Sequence, residues 1–458
     1  MYEIPDKEKE SVPNAEIKPR LGTFDLTMIV VGLVIGMGIF STPHEVAVSA
    51  QIPLIYFLAW ITGGVVSFLG ALTFAEIGSR YPAAGGFYKI FSHCYHPAFA
   101  FMVNWITVIS NAASTAVVAI FGAEYIYPLI MPGWEHDMAV RTITTVAIVV
   151  LYGINFLGIK VSAKFLNVLM LIKISLLALL ISAIFIPHGT SAAATAPAPD
   201  PQSMIKAFLL CFSSVFFTYG GYQQTMNFGS DVARPSRTLP RAIFMGMGLV
   251  LLLYLAVNYS YVHVLGFSKL QASSTPAADV AGMIFGNAAY YFIAVVMFLS
   301  VMAYVNVSVL SNPRIYYAMA EDGALPPILK RVNPRTQVQE YALTLFCIFI
   351  LITIFFIANP KKILDYVMFF DSISLATAAA AIFILRKRAK KDPGNKEIFK
   401  MKGYPFIPVI YILVYICVNT AVLLSNPLAS KIGFILFISG LPLFYLMRFL
   451  IKATSSRM

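Results

Sequence analysis

The chain has 458 residues, of which 59% are hydrophobic and 12% charged. A soluble protein of this length cannot hide that much apolar surface, so lipid must cover it, and a soluble enzyme or binding domain is excluded. The net charge of +12 is spread in short stretches between apolar runs, which excludes a basic nucleic-acid face and points to membrane topology instead.

In chain order, the first 20 residues are polar and charged, lack the apolar core of a cleavable signal, and read as a cytoplasmic N-terminal tail over 1–22. Apolar segments follow near 24–50, 54–78, 97–130, 140–157, 163–186, 203–230, 239–265, 289–319, 341–358, 361–386, 405–424 and 430–451. The pattern predicts an all-α membrane protein of about twelve transmembrane helices. With the N-terminus and every even-numbered loop on one side, that side collects most of the 33 Lys and Arg, including Arg234, Arg237 and Arg241 and the basic loop at 389–404. The positive-inside rule makes it cytoplasmic, with both termini inside. The Ala/Pro run within 189–202 then lies outside, and 405–458 supplies the last two helices and a cytoplasmic tail. Cys94, Cys211, Cys347 and Cys417 lie far apart and the six histidines are scattered, so neither a disulfide framework, a metal site nor a cofactor is expected.

Two spans carry the chemistry. Span one contains Val34-Ile-Gly-Met-Gly-Ile-Phe40, with Gly36 and Gly38 at mid-depth; span six contains Phe217-Thr-Tyr-Gly-Gly-Tyr-Gln-Gln224, with Gly220 near mid-depth. Glycine is a poor interior helix residue, by roughly 1 kcal/mol against alanine. Unwinding a helix in lipid exposes backbone groups that need partners, so a break is tolerable only beside a protein-buried or wet cavity. Glycines in membrane helices also serve close packing. Here one pair opens each of two groups of five spans, and a matched pair of interrupted helices is the best sequence pointer to a transporter site. Free N–H groups around Gly36, Met37 and Gly38 suit a carboxylate; free carbonyls near Val34, Ile35 and Phe217 suit an ammonium.

The motifs GMGIFSTP, RYPAAGGFY (80–88), FTYGGYQQ followed by ARPSRTLPRAI (233–243), and RIYYAMAEDGALP (314–326) occur in the order seen in the amino acid–polyamine–organocation superfamily. Over spans one to ten the chain resembles that superfamily, closest to bacterial relatives of the L-type amino acid transporters. The resemblance implies a five-plus-five inverted-repeat (LeuT-like) core, residues 23–188 and 203–388, with broken helices one and six and two added helices. It also implies an inner-membrane carrier that moves amino acids by alternating access, with exchange of neutral amino acids the expected mode. Phe217 matches a gating phenylalanine that offers its carbonyl. Met37 stands where such proteins usually have serine, Tyr222 where tryptophan is common, and Ser230 and Asp231 where an acidic pair is usual. The segment 131–139 (MPGWEHDMA) lacks the cysteine that links animal relatives to a glycoprotein, so no disulfide-linked heavy subunit is expected.

Charges inside spans are functional candidates. Lys173 lies about ten residues into span five, roughly 15 Å from the cytoplasmic edge, where related sodium-driven proteins hold a cation; sodium independence follows as an expectation. Lys173 either carries a proton or stays charged and holds the span-one break by its carbonyls. Asp371, in span ten, needs a lysine, a proton or a cationic substrate group, and with Tyr222 it is expected to shape the side-chain pocket. Glu76 and Glu124 read as interfacial, and Asn306 and Asn312-Pro313 as a kink or a path lining. Proton-coupled amino acid or polyamine symport, and an amino acid sensor, stand as alternatives. An enzyme would need a convergent set such as HExxH or facing aspartates, and the sequence shows none.

Overall fold

The computed structural model describes residues 17–185, 201–273, 275–286, 289–356, 360–390, 398–425 and 427–455. Most of the N-terminal tail, nearly all of the expected external loop at 189–202 and the middle of the basic loop at 389–404 lie outside the described residues. The rest is helical: α1 Thr23–Val34, α2 Gly38–Ala50, α3 Pro53–Arg80, α4 Gly86–Cys94, α5 Pro97–Ile130, α6 His136–Phe156, α7 Ile159–Ser182, α8 Pro201–Tyr219, α9 Pro235–Leu265, α10 Phe267–Ala272, α11 Pro276–Phe285, α12 Ala289–Ser311, α13 Pro313–Glu321, α14 Glu340–Phe356, α15 Pro360–Ala389, α16 Phe406–Ser425 and α17 Pro427–Ser455. Eight of these begin at proline, whose missing N–H falls on a position that has no intrahelical acceptor anyway.

Among the described residues nine helical segments are long and apolar enough to cross a membrane, and Glu340–Phe356 and Phe406–Thr420 are shorter apolar helices. The chain is a multi-pass membrane protein. Burial sorts its helices. Every residue of α1 from Leu26 to Val34 is buried, as befits a helix apolar on all sides, and α1 is packed by α7, α9 and α12. At the other extreme α17 exposes Phe434, Ile435 and Phe449, a face for lipid. The interrupted first helix is thus at the centre of the bundle, and its second half, α2, packs on α8.

The end of the molecule where α1 begins is sealed. The N–H groups of Arg20 and Leu21 donate to the Asp231 carbonyl at 2.8 and 2.9 Å. The Asp231 carboxylate accepts from Arg314 Nε and Nη2 at 2.7 and 3.0 Å, both side chains being buried. The Arg314 guanidinium also donates to the Leu310 carbonyl and lies 4.3 Å from the centre of the Phe228 ring. Beside this, Lys89 of α4 pairs with Glu321 at 2.7 Å and Asp322 at 2.5 Å. Burial pulls Lys89 down, but hydrogen bonds and charge from Asp322 and Glu321 outweigh it and hold its pKa above the ordinary lysine value. Glu76, expected near an interface, is instead wholly buried. It accepts from Arg80 at 2.7 Å, from Arg386 at 2.8 and 2.6 Å, and from the Met401 N–H at 2.8 Å, because a carboxylate away from water needs opposite charge around it.

Candidate functional site

Both interrupted spans are broken where the glycines stand. α1 ends at Val34, Ile35 leaves helical geometry (φ −77°, ψ 81°), and α2 starts at Gly38. A β-carbon on Gly38 would lie 2.9 Å from the Thr218 hydroxyl, so only glycine lets the start of α2 rest against α8. The second break follows Tyr219, where α8 stops and a 3-10 turn runs over Tyr222–Asn227. Gly221 at this break has φ +109°, and a β-carbon there would collide with the Leu33 carbonyl. The two breaks therefore touch, and Gly221 is the residue that permits it.

The freed backbone groups divide into those already partnered and those left open. Gly36, expected to offer its amide, donates it to the Val34 carbonyl at 2.8 Å. The open amides lie one residue further on: among the described residues those of Met37, Gly38 and Ile39 have no acceptor. The carbonyls of Val34 and Ile35, expected to face an ammonium, are occupied by the protein itself. The Tyr254 hydroxyl of α9 lies 3.1 Å from the Val34 carbonyl and 3.1 Å from the Thr218 carbonyl, bridging the two breaks. Lys173 Nζ donates to the Ile35 carbonyl. Carbonyls at a buried helix end need donors whether or not a ligand is present. At the second break the Gly220 N–H turns to the Phe217 carbonyl at 3.2 Å, releasing the Phe216 carbonyl that an unbroken helix would have paired with it.

A cavity of about 780 Å³, including its open mouth, lies against both breaks. Of the residues expected from sequence, Val34, Gly36, Met37, Gly38, Phe217, Gly220 and Asp371 line it. Ile35 and Lys173 stand behind the wall, joined to each other. Tyr222 corrects the expectation of a pocket residue. It is buried between helices, its hydroxyl donating to the Tyr411 hydroxyl at 3.0 Å and its ring packed edge-on against Phe74. In the 3-10 turn the residue after the glycine pair points back into the bundle, and Tyr304 and Tyr415 supply the aromatic walls. Sequence reasoning missed these two, together with Asn111, Ser114, Gln224 and Ser372, which also line the cavity. Isolated polar residues in apolar spans were their only signal. Asn306 is no lining residue: it accepts from Asn155 at 2.8 Å in a buried network. At Asn312 the α-helix is interrupted, α12 ending at Ser311 and α13 starting at Pro313, although its own angles stay helical (φ −65°, ψ −35°), and it accepts from Asn111 at 2.5 Å.

Comparison with known proteins agrees with this architecture. The amino acid permease family matches residues 21–444. The serine/threonine exchanger SteT of Bacillus subtilis (strain 168) is 28% identical over 440 residues, covering 94% of this chain and 97% of that protein. The large neutral amino acids transporter small subunit 2 of Rattus norvegicus is 25% identical, covering 96% of this chain and 85% of its own length. The human cystine/glutamate transporter is also 25% identical, with 96% and 87% covered. These relatives are transporters rather than enzymes. A match over nearly the whole length, on a helical membrane bundle with two breaks at one cavity, has one consequence: the chain belongs to the amino acid permease family, within the amino acid–polyamine–organocation superfamily.

Proposed function

We propose that the protein is a secondary transporter of amino acids that works by exchange and without sodium. The observation that carries this is the break between α1 and α2: three amides, of Met37, Gly38 and Ile39, lack acceptors at the start of a helix beside a cavity. Such an end binds anions through its N–H groups and its dipole. An α-carboxylate fits there by backbone contacts alone, since Met37 brings no hydroxyl. The α-ammonium then faces the second break, where the Phe216 carbonyl is released and the Phe217 carbonyl has a remaining lone pair. Phe217, on the cavity wall, closes over the bound amino acid. An α-amino acid carries its ammonium and its carboxylate on one carbon, a spacing that suits two broken helices meeting at one point.

Sodium independence rests on Lys173, whose ammonium already holds the Ile35 carbonyl, a group that would otherwise be available to a metal cation. Exchange is favoured by the printed activity of the Bacillus subtilis relative. We further infer twelve spans in two inverted groups of five plus two, in the inner membrane with both termini cytoplasmic, from the matched breaks and the distribution of Lys and Arg. The end tied by Asp231 and Arg314 is then the cytoplasmic one. Residues 131–139 hold no cysteine, so no disulfide-linked subunit is proposed.

Counterflow in proteoliposomes tests the reading. Vesicles loaded with unlabelled amino acids should accumulate tracer alanine, leucine or arginine in sodium-free buffer above the level of empty vesicles, and external sodium should not raise it. A folded, inserted protein that accumulates none of the tracers would refute it.

A further inference from the structure

Among the described residues, carboxylates within the helix bundle are treated unequally. Glu76 is met by Arg80 and Arg386, and Asp231 by Arg314. Asp371 lines the cavity, yet among the described residues it has no ion pair and no hydrogen-bond partner. Among the described residues, no Lys, Arg or His lines that cavity or the smaller one of about 320 Å³, mouth included, that continues from it past Asn227 and Phe87, where Asp371 is again on the wall. Lys173, a basic residue near the break, is directed to the Ile35 carbonyl behind the wall. A second acceptor in the same two cavities is also unmet: Gln224 Oε1 is buried and has no partner. Around them stand the rings of Tyr304, Tyr415 and Phe217.

An unpaired carboxylate in a membrane interior is a costly arrangement that persists for a function. A single proton on Asp371 would neutralise the carboxylate and bring only one O–H donor to the cavity. An ammonium has three N–H donors and a guanidinium five, enough for both acceptors, and aromatic faces attract either cation. Building on the amino acid transport reading above, we propose that the cavity selects amino acids whose side chain ends in a cation, and that Asp371 receives that cation, with Gln224 as a second acceptor. The α-carboxylate remains on the α2 amides, so one ligand satisfies both ends of the site. This departs from the neutral substrates that the family resemblance implied.

Lysine and norleucine differ only by the terminal ammonium, so they test the proposal without a variant. In sodium-free counterflow the native protein should take lysine with an apparent affinity at least tenfold better than norleucine. Asp371→Asn should reduce that preference by tenfold or more, while Asp371→Glu, which keeps the charge, should retain part of it. Thermal unfolding of the detergent-solubilised protein should rise more with lysine than with norleucine. Norleucine exchanged as well as lysine, a preference untouched in Asp371→Asn, or uptake that moves protons without any lysine preference would each overturn the role of Asp371. In those cases exchange itself would still be seen and the transport reading would stand. Absence of counterflow with both amino acids would instead remove the transport reading, and this inference with it.

Discussion

Gly220 and Gly221 are neighbours in sequence with different demands upon them. At Gly221 a side chain meets both a left-handed backbone and the Leu33 carbonyl; the backbone alone contributes about 1–3 kcal/mol of strain for a non-glycine residue. At Gly220 a β-carbon would sit 3.3 and 3.4 Å from the Phe217 and Phe216 carbonyls, a tight but adjustable fit. Gly221→Ala is therefore expected to lower the unfolding temperature in detergent and reduce counterflow to about a tenth or less, and Gly220→Ala to do much less. Equal effects of the two would show that the contact between the breaks is not what glycine serves there. The sequence flagged the glycine pair but not which member carries the constraint, because φ and the approach of another helix are invisible in a local string.

The broken helices are held open from the outside by two donors, the hydroxyl of Tyr254 and the ammonium of Lys173. Each serves carbonyls that the helix ends cannot satisfy themselves. Lys173→Met preserves length and removes the donor, leaving a buried carbonyl unmet at about 1–3 kcal/mol. We expect a lower unfolding temperature and loss of exchange, and added sodium should show whether a cation can replace the ammonium. The opposite end of α1 is tied down by Asp231 and Arg314. Breaking a buried pair by removing one partner is worth about 3–5 kcal/mol, so Asp231→Asn should destabilise the sealed end more than the protein's other helix contacts. A cysteine placed at Ser230, which is partly exposed beside the pair, should then react faster with a membrane-impermeant thiol reagent from the cytoplasmic side. An unchanged rate would mean that the pair does not keep that end closed.

At the scale of the whole molecule, the proposed topology can be checked from either side of the membrane. Lys400 and Lys402 are exposed next to α16. If the basic loop faces the cytoplasm, trypsin should cut there in inside-out vesicles and spare it in right-side-out ones; the reverse pattern would invert the proposed orientation. If the end tied by Asp231 and Arg314 faces the cytoplasm and keeps that side closed, impermeant reagents should reach a cysteine at Ser372, on the cavity wall, only from outside; labelling from inside would refute it.

The apolar runs, the two glycine-interrupted spans and the Lys/Arg asymmetry were legible in the sequence because each is a property of a short window: hydropathy, helix-breaking residues and loop charge do not depend on distant contacts. Whether a freed backbone group stays open was decided elsewhere. The Val34 and Ile35 carbonyls are partly satisfied already, because Tyr254 and Lys173, far away in the chain, reach them. Tyr222 turns from the cavity to Tyr411, and Glu76 is buried rather than interfacial because Arg386 comes from another helix to meet it. Asp371 could be read as a carboxylate in need of a partner, but that none of the described basic residues reaches it follows only once the helices are packed, since pairing is a fact about space and not about sequence.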